Sequence, residues 1–323
     1  MALLPGGSAE QRGVSLPGRN DLKGRVLRVS GLQSLVEVDG SHWQCEVRGR
    51  LKAGHRETTS AVVTGDWVEF TPTAPESGVI DSIHPRLSKI SRAASGSRSF
   101  EQLLAANVDL FIVVVAARRP RIVPGFIDRA LVPALLGNLE PVICINKIDL
   151  DPERRCGKLA SLYTDLGYRV LLTSAKTGET VAELKDIFDG RVSALVGQSG
   201  VGKSSILNCI DPGLSIATDE LMKTHDRGRH TTTAVQLHRL ASGGYVADTP
   251  GIKQLRPWGL SRSTLVSYFV EMAPLVEHCR FRDCTHGAEP DCAIREAVQT
   301  GKVASTRYDG FRRMEATLEE KTR

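Results

Sequence analysis

No stretch of the sequence is apolar for long enough to cross a bilayer. The longest strongly apolar run, at 110–117, falls well short of the roughly 20 residues that a spanning helix needs. Nor does the N-terminus carry the basic start and apolar core of a secretory signal, so the cytoplasm is the expected compartment and residues 1–22 read as a flexible leader. A strong charge bias is also missing. Lys and Arg number 42 against 37 Asp and Glu, a net charge of +5, which allows a nucleic-acid partner without demanding one. Local groups such as Arg48, Arg50 and Lys52, or Arg118, Arg119 and Arg121, read equally well as phosphate contacts or as solvated faces. The seven cysteines are an odd number in an apparently cytosolic chain, which argues against a disulfide framework. Four of them, Cys45, Cys144, Cys156 and Cys209, are scattered and read as small buried side chains.

At 323 residues the chain exceeds one ordinary core, and two or three domains are expected. Short β-type runs at 23–30, 33–39, 42–48, 60–70 and 78–83 are separated by Gly, Asp, Ser and Pro turns. Such a series predicts an all-β, OB-like barrel over 23–86, with an SH3-like barrel as the alternative. Residues 87–100 are polar, basic and Ser-rich and read as a linker. Over 101–258 the pattern changes to α/β: buried strands at 110–117, 141–145, 169–173, 191–196 and 245–248 alternate with helical spacing at 124–137, 151–166, 178–189 and 203–210. Residues 259–323 read as a mostly helical module. Its first helix carries an apolar stripe of Leu265, Phe269, Met272, Leu275 and Val276.

The chemistry concentrates in a few motifs. Residues 197–204, GQSGVGKS, follow a predicted strand and open a predicted helix, which is the context of a phosphate-binding P-loop. Gly197, Gly200 and Gly202 allow the backbone N–H groups of Gln198, Ser199, Val201 and Ser205 to turn toward phosphates, and Lys203 supplies charge to the β and γ groups. Ser204 offers a hydroxyl to Mg²⁺, Asp248 of a DTPG sequence would hold that metal through water, and Gly251 offers an N–H to the γ-phosphate.

Asn146, Lys147 and Asp149 belong to NKID, a guanine-reading sequence. Asp149 can accept from N1–H and the exocyclic amine, Asn146 can reach the N7 and O6 edge, and the stem of Lys147 can cover the purine face. Ser174, Ala175 and Lys176 form an SAK element at the next strand end, with a backbone N–H for guanine O6. NKID precedes the P-loop, the reverse of the usual GTPase order. The central domain therefore reads as a circularly permuted P-loop GTPase.

The γ-phosphate sensor is expected between the P-loop and DTPG, in the polar segment from about 212 to 230 and the GRHTTT sequence at 228–233. Thr232 is preferred over Thr231 as the threonine completing the Mg²⁺ shell. A missing residue matters as well: where Ras-like enzymes place a water-orienting glutamine after DxxG, this chain has Ile252. Intrinsic hydrolysis should be slow, with His230 the nearest substitute; its alternative is an exposed loop histidine.

Cys279, Cys284, His286 and Cys292 form a C-x4-C-x-H-x5-C set suited to tetrahedral Zn²⁺. Four protein ligands leave no open coordination position, so a structural ion is expected, with His278 the competing ligand.

With GDWVEF, AANVDLFIVV, NKID, SAK, GQSGVGKSS, GRHTTT, DTPGI, the cysteine cluster and STRYDGF at 305–311, the chain from about residue 23 to 315 resembles the circularly permuted ribosome small-subunit-dependent GTPase A family. The resemblance implies late maturation of the bacterial small (30S) ribosomal subunit, with GTP hydrolysis stimulated by that subunit. It further implies contacts of the barrel and zinc module with 16S rRNA and ribosomal proteins, a functional link to ribosome-binding factor A, and His230 as the water-positioning residue. A monomer without a membrane partner is expected.

Overall fold

The structure is a computed structural model that describes residues 21–49, 51, 60–94, 100–214, 235–248 and 257–318. Alternating burial builds the first module. In β1 (Leu22–Ser30), β2 (Gln33–Val38), β3 (Ser41–Val47), β4 (Trp67–Ala74) and β5 (Ser77–Ile83), inward positions place Val26, Val36, Cys45, Val68, Phe70 and Ile80 in one small core. The strands close in the order β1-β2-β3-β5-β4 and back to β1, with β3 and β5 parallel and the other pairs antiparallel. Closure satisfies the backbone groups that an open sheet would leave along its edges.

The expected strand at 60–70 begins only at Trp67. Residues just before it form a turn in which Asp66 accepts from Val63 N at 2.8 Å and is gripped by Arg86 through Nε at 2.7 Å and Nη2 at 2.8 Å. Gly65 sits there at φ +91°, and a Cβ on it would lie 2.0 Å from the carbonyl oxygen of Ala106. Only glycine allows that approach.

The expected linker also contains structure. Lys89–Ala93 forms β6, which pairs antiparallel with β7 (Glu101–Ala106), and Lys89 meets Glu101 at 2.8 Å. A short run with one buried apolar residue, Ile90, gives no strand periodicity; the pairing comes from β7.

The central sheet runs β10 (Arg169–Leu172), β9 (Glu140–Asn146), β8 (Leu110–Ala116), β11 (Val192–Val196), β13 (Tyr245–Asp248) and β12 (Gln236–Arg239). All neighbours are parallel except β12, a four-residue strand that the sequence pattern does not announce. Successive side chains of β8 point to opposite faces. Phe111, Val113 and Val115 pack with Ile127 and Leu131 of α1 (Pro124–Leu136) and Tyr163 of α2 (Gly157–Asp165). Leu110, Ile112 and Val114 pack with Leu184 and Phe188 of α3 (Val181–Phe188) and Ile206 and Leu207 of α4 (Lys203–Ile210). Helix α2 starts later than the expected residue 151 because Asp151 instead closes a turn, accepting from Cys156 N at 2.9 Å. The barrel joins the far edge of this sheet, where Arg28 of β1 pairs with Gln236 of β12.

In the C-terminal module the apolar stripe is not one helix. One α-turn, α5 (Arg262–Leu265), runs into a 3-10 turn at Val266–Tyr268, the backbone becomes extended at Phe269, and a second 3-10 segment covers Ala273–His278. Leu265, Phe269 and Met272 are nevertheless fully buried, because consecutive turns around a small core satisfy the same spacing. Two further helices, α6 (Ala293–Gln299) and α7 (Ser305–Glu315), complete the module, and α7 packs on α1. Among the described residues no helix is long and apolar enough to cross a membrane.

Candidate functional site

The parallel strands all end on one side of the sheet, and the sequence motifs begin where they end. Strand β9 terminates at Asn146, β10 leads into Thr173 and Ser174, and β11 runs into Gly197. Ligand sites of open α/β sheets lie at this carboxyl edge. The permuted motifs meet there despite their reversed order. Asn146 Nδ2 donates to the carbonyl of Val201 at 2.9 Å, joining NKID to the P-loop. Its Oδ1 accepts from Ala175 N at 3.1 Å and from Thr173 Oγ1 at 3.4 Å, joining the same residue to SAK. Asn146 is 1% exposed, and its amide works as a brace among three loops.

Lys147 adopts φ +63°, a left-handed conformation that costs a side-chain-bearing residue about 1–3 kcal/mol. The turn sends its Nζ to the carbonyl of Gly200 in the P-loop and to that of Arg119 at 2.9 Å. Asp149 follows on a single 3-10 turn, Ile148–Leu150, and its Oδ1 accepts from Ser174 Oγ at 2.8 Å. Ser174 therefore orients the carboxylate, a task that its sequence assignment alone does not reveal. The SAK loop is closed by Gly178 N to Ser174 O at 2.9 Å and by Cys209 Sγ to Ala175 O at 3.2 Å, leaving Lys176 exposed.

The P-loop turns through Gly200 and Gly202, both at positive φ. A Cβ on Gly202 would lie 2.3 Å from Asn146 Nδ2, so the brace and this glycine require one another. Gln198, Ser199 and Gly200 are exposed, Ser204 is half-buried in the first turn of α4, and Ser205 is exposed. Lys203 Nζ donates to the carbonyls of Gly197 at 2.9 Å and Gln198 at 3.0 Å. Exposed N–H groups and an ammonium at a helix start suit an anionic ligand. Asp248 ends β13 at the same edge, next to β11. Its side chain, together with His230, Thr231, Thr232, Gly251 and Ile252, lies outside the described residues.

The cysteine cluster forms a second site. One ligand atom from each of Cys279, Cys284, His286 and Cys292 lies within 4.8 Å of all the others, a group that can hold a metal ion. His286 Nδ1 faces Cys279 Sγ and Cys292 Sγ at 3.6 Å each. Tetrahedral ligands at about 2.3 Å from a central ion stand about 3.8 Å apart, so the spacing fits with small adjustments. His278, the competing ligand, is not one of the four.

The surrounding structure holds the cluster. Tyr308 OH donates to His286 O at 2.6 Å. Glu289 accepts from Thr285 N and Gly287 N, each at 2.9 Å, and from the Thr285 hydroxyl; these bonds hold its carboxyl down at about 2. Burial pushes the Cys284 thiol up to about 12 and lowers the His286 imidazole below its ordinary value. A bound cation reverses that preference at Cys284 and favours thiolate.

A profile of the RsgA GTPase family matches residues 83–258. Curated relatives named small ribosomal subunit biogenesis GTPase RsgA include one from Moorella thermoacetica, 40% identical over 90% of this chain and 95% of its own length. Another, from Gemmatimonas aurantiaca, is 41% identical over 88% of this chain and 94% of its own. Among solved structures, YjeQ from Thermotoga maritima shares 35% identity with a TM-score of 0.75, covering 92% of this chain and 98% of that one. YloQ, described as a circularly permuted GTPase, shares 28% identity with a TM-score of 0.70, over 92% and 94% of the two chains. The reversed order of NKID and the P-loop, resolved into one site by the Asn146 brace, thus agrees with the comparisons, and the chain belongs to the RsgA GTPase family.

Proposed function

We propose that this chain is a checkpoint GTPase of late small-subunit assembly, whose GTP hydrolysis is stimulated by the small ribosomal subunit. The observation that carries the nucleotide half of this reading is the bond from Asn146 Nδ2 to Val201 O, which ties the guanine-reading strand end to the phosphate loop. The names borne by the full-length relatives support the ribosomal half.

In the proposed cycle Asp149, oriented by Ser174, reads guanine N1–H and the exocyclic amine; Lys147 covers the base; and a backbone N–H of the SAK element meets O6. The P-loop, from Gly197 through Ser205, wraps the phosphates. Lys203 would swing from its loop carbonyls to the β and γ groups, Ser204 and Thr232 would hold Mg²⁺ with Asp248 holding it through water, and Gly251 would offer its N–H to the γ-phosphate. His230 positions the attacking water where Ile252 cannot. A Zn²⁺ ion on Cys279, Cys284, His286 and Cys292 would supply cross-linking of the C-terminal module and no reaction step. The barrel and that module would grip 16S rRNA and ribosomal proteins, in the cytoplasm, as a monomer, with release of ribosome-binding factor A downstream.

The test is GTP turnover with purified small or large subunits added separately. Small subunits should raise the rate severalfold and large subunits should not; no response to small subunits overturns the reading. A parallel Asp149→Ala variant should lose most of a guanine-over-adenine preference of roughly 10⁴.

A further inference from the structure

At the end of the sheet away from the P-loop, the barrel and the α/β domain leave a groove of about 770 Å³ between them. Asp109, Glu140 and Arg191 line it where β8, β9 and β11 begin, so it lies at the amino edge of the strands whose carboxyl ends carry the nucleotide motifs. Arg25, Trp67 and Leu87 line the opposite side. Its apolar surface is uncovered, with Trp67 36% and Leu87 80% exposed.

The guanidinium of Arg25 lies between two rings, 4.6 Å from the centre of Trp67 and 5.3 Å from that of Tyr245. Stacking fixes its plane and leaves free the N–H edge that recognises a carboxylate or phosphate. Nε of Arg25 is buried without a hydrogen-bond partner, and no carboxylate among the described residues pairs with this side chain. The nearest acids are engaged elsewhere. Glu37 accepts from Arg239 Nη1 at 2.6 Å and from the Tyr245 hydroxyl at 3.2 Å, Asp109 accepts from Val192 N at 2.8 Å, and Glu140 meets Arg191 at 2.9 Å. Burial outweighs the attraction of Tyr245, Asp109 and Glu37 and lowers the Arg25 pKa below its ordinary value, the sign of a charge left undercompensated.

Charge selects the class of occupant. Asp109 and Glu140 offset Arg25 and Arg191 in the lining and oppose a polyanion such as RNA. A single carboxylate on an otherwise apolar segment instead meets the one guanidinium of the lining that has no partner, and Lys23, 5.4 Å from the Trp67 ring centre, adds to the attraction. We propose that the groove is a docking site for a protein partner, which places an aspartate or glutamate against Arg25 and an adjoining apolar side chain on Trp67 and Leu87. The site is distinct from the nucleotide site and does not rest on the ribosomal reading.

The test selects phage-displayed random peptides on the immobilised full chain and measures the enriched peptides by fluorescence anisotropy. Enriched sequences should carry Asp or Glu beside a large apolar residue. Their affinity should fall about tenfold or more in Arg25→Gln, the scale of a lost charge-assisted hydrogen bond, and severalfold in Leu87→Ser, a change at an exposed side chain that leaves the packing intact. GTP affinity should be that of the parent in both variants. A selection that enriches nothing or only basic peptides overturns the proposal, as do peptides that both variants bind as tightly as the parent does. A labelled oligouridine that binds the parent and is lost from both variants would assign the groove to RNA and overturn it equally.

Discussion

The barrel and the C-terminal module are both attached to the GTPase domain, one at its sheet edge and the other at α1, by different chemistry. The barrel meets the strand edge through backbone pairing at Arg28 and Gln236 and through polar contacts such as Glu37 with Arg239, whose side chain is 55% exposed. The C-terminal module is held by charges shut away from water. Arg307 of α7 and Asp128 of α1, 2% and 1% exposed, meet at 2.6 Å, and Glu271 takes the other side of the guanidinium at 2.6 Å. Tyr163 OH adds a bond to Asp128 at 2.7 Å, and the guanidinium lies 4.7 Å from the Phe269 ring centre. Burial works against the Arg307 charge, but Glu271 and Asp128 outweigh it and hold the pKa above its ordinary value.

Such a buried pair adds little net stability, yet separating it is costly because each partner would remain buried and uncompensated. One joint is therefore a permanent clamp on α1. The other is a set of hydrogen bonds at β12 and β13, running from the half-exposed Arg239 on Glu37 to the buried bond between Thr64 and Val235.

The contrast can be broken at either joint. Removing a metal ion held by the cysteine cluster should have the largest effect, since a four-ligand structural ion can supply on the order of 10 kcal/mol to a small module. A strong chelator should make residues beyond 260 protease-sensitive while the barrel stays resistant; equal resistance with and without chelator would mean that the module does not depend on a metal. Arg307→Ala comes next, with an expected loss of about 3–5 kcal/mol in denaturant unfolding. A loss of less than about 1 kcal/mol, the scale of an exposed ion pair, would mean that the clamp resembles the barrel joint after all. Gly65→Ala should cost about 2 kcal/mol, because it combines a left-handed backbone with the close approach to Ala106 O, and it should lower the barrel's own melting transition. The smallest effect is expected from Glu37→Ala, about 1 kcal/mol. Hydrogen exchange should locate that loss at β12 and β13, and faster exchange in α7 instead would contradict the division between the joints.

Residues whose roles depend on near neighbours are legible in the amino-acid sequence. The run in β8 reads as a strand because both of its faces are buried. The P-loop turn is written in the spacing of Gly197, Gly200, Gly202 and Lys203, and the cluster that can hold a metal ion in its ligand types. Elements that borrow stability from distant partners leave a fainter local pattern. Strand β6 is mostly polar and exists through β7, and β12 is short and lies between the barrel and β13. The stripe from Leu265 to Val276 has helical spacing, yet extended backbone at Phe269 and the restart at Ala273–His278, with Pro274 in its first turn, divide it into separate turns.

By itself the sequence determined the chemistry on offer: a P-loop sequence, an NKID sequence at a strand end, a soft-ligand cluster, and the inverted order in which the first two occur. Side-chain type and short spacing carry that information, because backbone preference and ligand character act within a few residues. Tertiary structure decided which groups meet. Asn146 reaches Val201 across 55 residues, Thr64 reaches Val235 across 171, and Arg307 reaches Asp128 across 179. Such pairs form only after closure of the intervening chain has been offset by the packing of whole layers, so no local pattern records them.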